Sequence, residues 1–434
     1  MQTNMKQDNL VVTIEDFDGN ILEIKNIPHQ EFKKKPEYLN TDLVNELREA
    51  VNSSPIFWKD EKYHSFYNQV CAAMDRLGTA MDYLNKHRYY PKSEDKFICF
   101  MAFACMIVDA PKMLAKKINA FITAQGIADK YKVKLPFEKD KALFKKICMK
   151  APFNMTEKEC PTDDEFFAFF RSITFAHPYE TNRLFKKLGN QVSPWINVHN
   201  KYSLLGLKGV VGITMYSDLK DENNNSNHII KVPFTDLKKY IKARFENLKL
   251  ITEWVESEIS RNKEVWRSQG IVRGGTPVET LYNIRQALIN QYQDTYEIDD
   301  YITYLTCNLT NENNNDNVQN FRKALIDRID TIYRCAAELD YIGLCEEMEI
   351  TYTRPKIMHQ HANYQLEKIF GYLNESADYY NVIWGRQQAH DFSKEFAKKW
   401  VIIDAENMSF DEIKLLVTTA CYLEHQEQEK DAKH

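Results

Sequence analysis

Apolar and polar residues alternate near the start of the chain and follow a helical period over most of the remainder. Val11-Val12-Thr13-Ile14 and Ile21-Leu22-Glu23-Ile24 flank Asp18-Gly19-Asn20. Alternation on both sides of a glycine that can adopt a positive φ predicts a β-hairpin. Farther on, apolar residues recur every three to four positions, which predicts helices. These helices are expected over 41–53, 60–87, 94–126, 137–149, 162–177, 235–266, 276–305, 316–347, 360–397 and 409–428.

Three of the predicted helices begin with a capping-box pattern, in which a hydroxyl residue is followed three positions later by glutamate. The hydroxyl can accept from an early backbone N–H while the glutamate reaches back to the first residue. The pairs are Thr162 and Glu165, Thr276 and Glu279, and Ser409 and Glu412.

The helical pattern has one main interruption, and it suggests how the chain is divided. Apolar residues among the glycines of 206–217, then an Asn-rich loop and Ile229 to Val232, predict a two-stranded β insertion at about 207–234. Gly274-Gly275, just before a capped helix, is the best candidate for a domain boundary. The expected fold is mainly α, with an N-terminal hairpin segment over 1–40, a helical bundle with the β insertion over 41–273, and a C-terminal helical domain over 274–434.

Composition narrows the class of protein. The 434 residues are 44% hydrophobic and 27% charged, as in a soluble globular protein. The net charge of −5 excludes a general nucleic-acid coat, which would be basic. Nine cysteines without a C-x-x-C pair indicate a reducing compartment. The polar N-terminus and an apolar run of only twelve residues, Phe97 to Val108, predict neither signal peptide nor membrane span, so we expect a cytoplasmic protein.

Common catalytic motifs do not occur in this chain. There is no phosphate-binding loop, dinucleotide fingerprint, zincin motif or hydrolase elbow. His359 and His361 have the spacing of a metal-ligand pair, but neither Cys nor carboxylate stands at ligand spacing beside them, and they are better interpreted as surface histidines. We therefore expect no metal and no cofactor.

The most informative segment is the strongly apolar stretch from Phe166 to Pro178. Arg171 and His177 follow a run of phenylalanines, and Pro178 disfavours helix at the residue before it, so the helix should end near His177. On a straight helix these two side chains would lie about 120° apart, and a loosened last turn could bring them into one cleft. Histidine can transfer a proton near neutral pH, and arginine can hold a phosphate in a bidentate manner.

This segment resembles the Arg-x4–6-His motif of the HEPN ribonucleases, and the phrase from Phe170 to Pro178 is most similar to HEPN proteins of bacterial abortive-infection systems. The resemblance covers about residues 45–265. It implies a HEPN-like helical bundle that dimerises, with both motifs in a shared cleft. It also implies a metal-independent endoribonuclease, a toxin or abortive-infection antiphage effector. His177 would assist attack of a ribose 2′-hydroxyl, and Arg171 would stabilise the negative charge that develops.

Several features leave alternatives open. Ser172 follows the arginine, where the family often has Asn, Asp or His. Glu180 and Asn182 would support the same cleft, or belong to a solvated loop. Two other Arg–His pairs compete with this one: Arg354 to His359 has matching spacing but no apolar helix, and Arg386 with His390 is one residue short. Arg171 could also have a structural role as the partner of Glu180 or Asp164, with His177 as a helix cap.

A local excess of lysine points to RNA as the partner. Residues 112–150 contain eleven lysines and three acids, a pattern typical either of a phosphate-binding track or of a solvated surface. The candidate RNA-binding residues are Lys112, Lys116, Lys117, Lys145 and Lys146. An antitoxin or trigger protein is a further possible partner, and the protein could instead be a non-catalytic HEPN-like module that binds RNA or protein. The aromatic residues Tyr379, Tyr380, Trp384 and Trp400 of the C-terminal third are expected in its core.

Overall fold

The protein is mainly helical. A computed structural model of the chain describes residues 11–15, 21–25, 37–136, 138–181, 184, 189–198, 209–218 and 226–432. The helices are α1 (Asp42–Asn52), α2 (Ile56–Lys59), α3 (Glu61–Lys86), α4 (Glu94–Ala124), α5 (Lys145–Cys148), α6 (Asp163–Arg171), α7 (Phe234–Phe245), α8 (Leu248–Gln269), α9 (Pro277–Asn290), α10 (Tyr296–Thr306), α11 (Asn315–Ile326), α12 (Ile329–Glu338), α13 (Tyr341–Met348), α14 (Gln360–Tyr372), α15 (Tyr379–Glu395) and α16 (Phe410–Asp431).

The strands form two antiparallel sheets. β1 (Val11–Glu15) pairs with β2 (Ile21–Lys25), with Val11 opposite Lys25, so the predicted hairpin strands are confirmed. The expected two-stranded insertion is wrong in one respect, because it is a three-stranded sheet in the order β3-β4-β5. Its strands are β3 (Gln191–Asn197), β4 (Val210–Ser217) and β5 (Asn227–Pro233).

The additional strand contains a proline, which normally argues against a strand. Pro194 lacks the N–H that a ladder needs, but β3 is an edge strand and its register shifts between Val192 and Trp195. Edges and bulges are the places where a sheet tolerates proline. The alternation on which strand prediction relies is therefore interrupted where β3 pairs with β4.

Several predicted helices are shorter than expected. The helix predicted over 137–149 is wrong, because within the described part of this segment only Lys145–Cys148 is α-helical. The single helices predicted over 235–266, 276–305, 316–347 and 360–397 are each divided into two or three shorter ones. The apolar period continues across the breaks, so periodicity alone does not show where each helix ends.

Contacts divide the chain into two compact units, each of which includes part of α3 and part of α4. Unit 1 consists of Met1–Asp42, Leu77–Val108 and Glu138–Phe245, and unit 2 of Leu43–Arg76, Asp109–Phe137 and Glu246–His434. The predicted domain boundary near residue 274 stays a prediction.

Unit 1 has an aromatic core that includes α6. The rings of Phe144 and Phe166 stack with their centroids 4.7 Å apart, and Phe97 meets Phe170 edge to face at 6.1 Å. Buried aromatic pairs of this kind add to the free energy gained from their apolar area. The helix that carries the candidate arginine is thus fixed by its phenylalanines.

Unit 2 has its own apolar core. Leu281, Ile298, Phe321, Ile369 and Leu416 are representative members of one buried cluster that is built from the helices after residue 276. A second aromatic group joins Phe66 to Trp254 with their rings 5.2 Å apart.

One helix among the described residues, α4, is long and apolar enough to cross a membrane. In its most apolar window 56% of the residues are buried inside the protein, as in the core helix of a soluble protein. The structure is compatible with a soluble protein.

Candidate functional site

The candidate site begins with the capped start of α6. The Thr162 hydroxyl accepts from the Glu165 N–H at 3.2 Å, and the Glu165 carboxylate accepts from the Thr162 N–H at 2.8 Å, so the predicted capping box is present. The four phenylalanines of α6 are all buried. The amphipathic sequence therefore fixes both the start of this helix and the face that it buries.

Two acids in the first turn of α6 anchor the helix within unit 1. Asp163 is 2% exposed, and its carboxylate accepts from the backbone N–H groups of Ala142, Leu143 and Phe144 at 3.0 to 3.2 Å.

Asp164 is the second anchor and connects α6 to α7. It accepts from the Tyr240 hydroxyl at 2.8 Å and pairs with Arg244 at 2.7 Å. Burial and the neighbouring Asp164 carboxylate raise the pKa of Tyr240, so this phenol stays protonated. Asp164 thus has a structural partner in Arg244.

The helix changes type directly after Arg171. Ser172–Ala176 form one π-helical turn, closed by the His177 N–H, which donates to the Ser172 carbonyl at 2.7 Å. The Thr174 hydroxyl donates to the Phe170 carbonyl at 2.6 Å. The helix ends where Pro178 predicts, and its last turn is widened. Single π-turns of this kind occur frequently at functional sites.

The segment after the π-turn is fastened to the helix and to β3. The buried Ser172 hydroxyl donates to the Thr181 hydroxyl at 3.2 Å. Thr181 exchanges two backbone hydrogen bonds with Gln191, of 2.9 and 2.8 Å, and the Ser193 N–H donates to the Pro178 carbonyl at 2.7 Å. The backbone around His177 is therefore held on two sides.

An open cleft of about 650 Å³ lies along this segment. Among the described residues its lining is Phe175 to Thr181, which includes the exposed His177 and Glu180. Arg171 is half-buried and is not among these lining residues. The structure thus places two of the predicted site residues at one cleft and Ser172 beneath it. Asn182 lies outside the described residues.

The five candidate RNA-binding lysines belong to different units. Lys112, Lys116 and Lys117 lie on the part of α4 in unit 2, where Lys116 is exposed and the others are half-buried. Lys145 and Lys146 lie on α5 in unit 1.

One of the two lysines of α5 has an acidic partner. Lys145 donates to Glu157 at 2.6 Å, and this bond raises the pKa of Lys145 and lowers that of Glu157. Both groups are therefore charged at neutral pH, and the glutamate offsets the positive charge that Lys145 would present to a phosphate.

The competing Arg–His pairs have structural contacts in unit 2. The Arg354 guanidinium lies 5.4 Å from the centre of the Phe370 ring, and the Arg354 carbonyl is 2.9 Å from His425 Nδ1. His359 caps α14 by accepting from the His361 N–H at 3.1 Å. These contacts assign Arg354 and His359 to the packing of two different elements.

Arg386 of the second competing pair and His361 of the possible metal-ligand pair also have structural contacts. Arg386 donates to the carbonyls of Ala405, Glu406 and Met408 and so holds the loop before α16. His361 Nδ1 lies 3.2 Å from the Glu395 carboxylate. Among the residues that the structure describes, no group of three or more His, Cys, Asp or Glu side chains is arranged to hold a metal ion.

Sequence reasoning missed some exposed aromatic residues and the hydroxyl below the cleft. Tyr379, Tyr380 and Trp384 of α15, expected in the core, are 74%, 81% and 46% exposed. Trp195 on β3 is 47% exposed. Thr181 was not predicted because its role depends on a contact with Ser172, nine residues earlier, and no local pattern marks such a contact.

Comparisons of the chain with protein-family models, with curated proteins and with solved structures give no match in any of the three.

Proposed function

We propose that this protein is a metal-independent endoribonuclease of the HEPN type, with Arg171 and His177 as its catalytic residues. The observation that carries the proposal is an exposed histidine in an open cleft, at the end of a π-turn that begins directly after the arginine. The HEPN-like arrangement of the bundle, the RNA substrate and the activity belong to this proposal and rest on the motif.

In the proposed reaction the two side chains have different tasks. His177 accepts the proton of a ribose 2′-hydroxyl as its oxygen forms a bond to the neighbouring phosphorus, and the bond from phosphorus to the 5′-oxygen breaks. Water donates a proton to the departing 5′-oxygen, and His177 then returns the proton it accepted to the solvent. The Arg171 guanidinium donates hydrogen bonds to the phosphate oxygens as negative charge develops there. The products are a 2′,3′-cyclic phosphate and a 5′-hydroxyl.

The remaining residues support this site. Ser172 positions the loop through Thr181, Glu180 contributes a carboxylate to the cleft, and Asn182 is a further supporting residue by its place in the sequence. Lys116 and Lys146, both exposed, are the best placed of the five lysines to contact the RNA backbone.

The biological setting is proposed from the family resemblance. A toxin or abortive-infection effector would act in the cytoplasm as a homodimer that brings two motifs into one cleft. An antitoxin would restrain it, or a trigger protein would activate it when needed, since uncontrolled RNA cleavage harms the cell that makes it.

A second function has one observation in its favour. Arg171 is half-buried and does not share the described lining of the cleft with His177. A HEPN-like module that binds RNA or protein without cleaving it would not need both side chains in one cleft.

Variants separate the two functions. We expect Arg171→Ala and His177→Ala each to lower the rate of RNA cleavage at least about 100-fold, because each removes a group that acts on the reacting atoms. Arg354→Ala and His359→Ala are matched controls and should cleave at the normal rate. A substrate with a 2′-deoxynucleotide at the cleavage position should resist cleavage. Cleavage by the Arg171 and His177 variants at the rate of the natural protein would contradict the proposed site. RNA binding by a natural protein that does not cleave would favour the module.

A further inference from the structure

The outer face of the three-stranded sheet in unit 1 carries exposed apolar side chains. On β4, Val211, Ile213 and Met215 are fully buried, so alternate residues face the other way. Trp195 of β3 and Ile229 of β5 are both in register with Thr214 of β4, which places them on this second face.

Three large side chains of this face are open to solvent. Trp195, Tyr216 and Ile229 are 47%, 37% and 40% exposed, and the two aromatic rings are 6.4 Å apart at 87°. A soluble protein normally buries tryptophan, so a tryptophan and a tyrosine exposed together indicate a contact surface.

The polar groups of the same face suit a negatively charged ligand. Lys231 of β5 is exposed and in register with Gly212, and Asn197 lies across from Gly212 on β3. The Asn197 amide donates to the Thr214 hydroxyl at 2.8 Å. The residues that the structure describes on this face include one cation and no carboxylate, in a chain whose net charge is −5.

This face adjoins the candidate site through the edge of β3. The Ser193 N–H donates to the Pro178 carbonyl, and Thr181 pairs with Gln191. Trp195 therefore stands two residues along the strand from the point where the His177 segment is fastened. The segment that lines the cleft is therefore hydrogen-bonded to the strand that carries Trp195.

We infer that the outer face of this sheet is a stacking platform for single-stranded RNA, formed by Trp195, Tyr216, Ile229 and Lys231. The inference rests on the proposed function and specifies its substrate as unpaired RNA. Bases offer flat surfaces to aromatic rings, and the phosphate beside them suits a lysine. In a duplex the base faces are stacked on each other and are closed to such rings. The two aromatic residues bind bases next to the phosphodiester that enters the cleft.

The test measures binding separately from cleavage. The full chain carrying His177→Ala is titrated into a labelled twelve-nucleotide oligouridylate and into an RNA duplex of the same length, in EDTA. Trp195→Ala and Tyr216→Ala should each weaken binding of the single strand about tenfold, in line with the loss of one stacked base. Trp195→Phe should stay within about threefold, since it keeps a ring to stack on.

Two further variants examine the charge and the location. Lys231→Gln should reduce the slope of log affinity against log salt by about one, because it removes one phosphate contact. Tyr380→Ala, which removes an exposed ring from α15, should leave the affinity unchanged. Binding of the duplex should not respond to any of the ring variants.

Other outcomes overturn the platform or the nuclease separately. The platform is overturned if the single strand does not bind, or if the Trp195 and Tyr216 variants bind it as tightly as the parent His177→Ala chain does. If these variants dissociate a dimer and bind RNA normally, the face is a protein interface and the inference is wrong. Ring-dependent binding by a chain that never cleaves RNA would keep the platform and contradict the nuclease. Cleavage of RNA with an unchanged KM after Trp195→Ala would contradict the platform and keep the nuclease.

Discussion

At the scale of single residues, a buried hydroxyl joins the π-turn to the segment that follows the candidate histidine. Ser172 is 1% exposed and donates to Thr181 across nine residues of chain. The HEPN ribonucleases, whose motif this segment resembles, often have Asn, Asp or His at this position, whereas the short, buried Ser172 hydroxyl places no side chain in the cleft. In the proposed reaction its effect is therefore to position the loop that carries His177 and Glu180.

A double-mutant cycle tests this role of Ser172. Ser172→Ala and Thr181→Val should each lower the free energy of unfolding by about 1 kcal/mol, because each removes one of the two bonded hydroxyls and leaves the other without this bond. The double variant should cost about 1 kcal/mol less than the sum, because both changes remove one bond. Urea unfolding of the four proteins gives these values. Strictly additive losses would contradict the contact.

Two aspartates of unit 2 should respond to pH in opposite directions. Burial raises the pKa of Asp300 above its usual 3.8, while hydrogen bonds from Asn407 lower the pKa of Asp404. A raised pKa means that ionisation opposes folding, so the free energy of unfolding falls as pH rises through the folded-state pKa. A lowered pKa means that the charged form stabilises the fold above the unfolded-state value, and this contribution is lost as pH falls.

Asparagine variants of these two aspartates should change the free energy of unfolding in opposite directions. At pH 7 we expect Asp300→Asn to raise the free energy of unfolding and Asp404→Asn to lower it. Well below pH 3.8 the Asp300 variant should lose its advantage, and in acid the Asp404 variant should lose its deficit. Denaturant unfolding at several pH values gives both curves. The same sign for both variants at pH 7 would refute the assignment.

At the scale of elements, helix starts were easier to predict than helix ends. The capping boxes at Thr162 and Thr276 are both present, because the residues that form them are neighbours in the sequence. The breaks after α9 and α12 fall at Tyr292 and Leu339, which have positive φ of 60° and 61°. Glycine usually occupies such positions, and a tyrosine or leucine there gives no signal that the helix ends.

The third capping glutamate shows how tertiary contacts override a local pattern. Ser409 accepts from the Glu412 N–H at 3.1 Å as predicted. The Glu412 carboxylate, however, accepts from the N–H and hydroxyl of Thr310 at 2.7 and 2.9 Å, and the residue is 1% exposed. It thereby joins α16 to the loop after α10.

A comparison of two glutamates tests this difference. Glu412→Ala should lower the free energy of unfolding by about 3 kcal/mol, because the Thr310 N–H and hydroxyl both lose a buried, charged acceptor. Glu279→Ala, in the exposed box at the start of α9, should cost about 1 kcal/mol. Denaturant unfolding of both variants at neutral pH gives the ratio. Equal losses would show that Glu412 acts only as a cap.

At the scale of the whole molecule, the mainly helical class could be predicted from the sequence, whereas the detail of the site could not. The spacing of Arg171 and His177 and the end of the helix before Pro178 are local features that the sequence itself indicates. The burial of Arg171 and the fastening of the His177 segment to β3 depend on residues farther along the chain. The strand that provides this contact, β3, was not predicted, because its Pro194 argues against a strand.

Dimerisation is a prediction about the whole molecule. If two motifs share one cleft, sedimentation velocity should give a particle of twice the 51.1 kDa chain mass. Specific cleavage activity should fall on dilution below the concentration at which that particle dissociates. A monomer with activity that is independent of concentration would contradict a shared cleft.

The most direct test of the central claim is the chemistry of the cut ends. RNA is incubated with the natural protein and with His177→Ala in EDTA, and the products are identified by mass spectrometry. The proposed nuclease should give 2′,3′-cyclic phosphate and 5′-hydroxyl ends, and the variant should give none above background. Products with 3′-hydroxyl and 5′-phosphate ends, or the same products at the same rate from the variant, would contradict it.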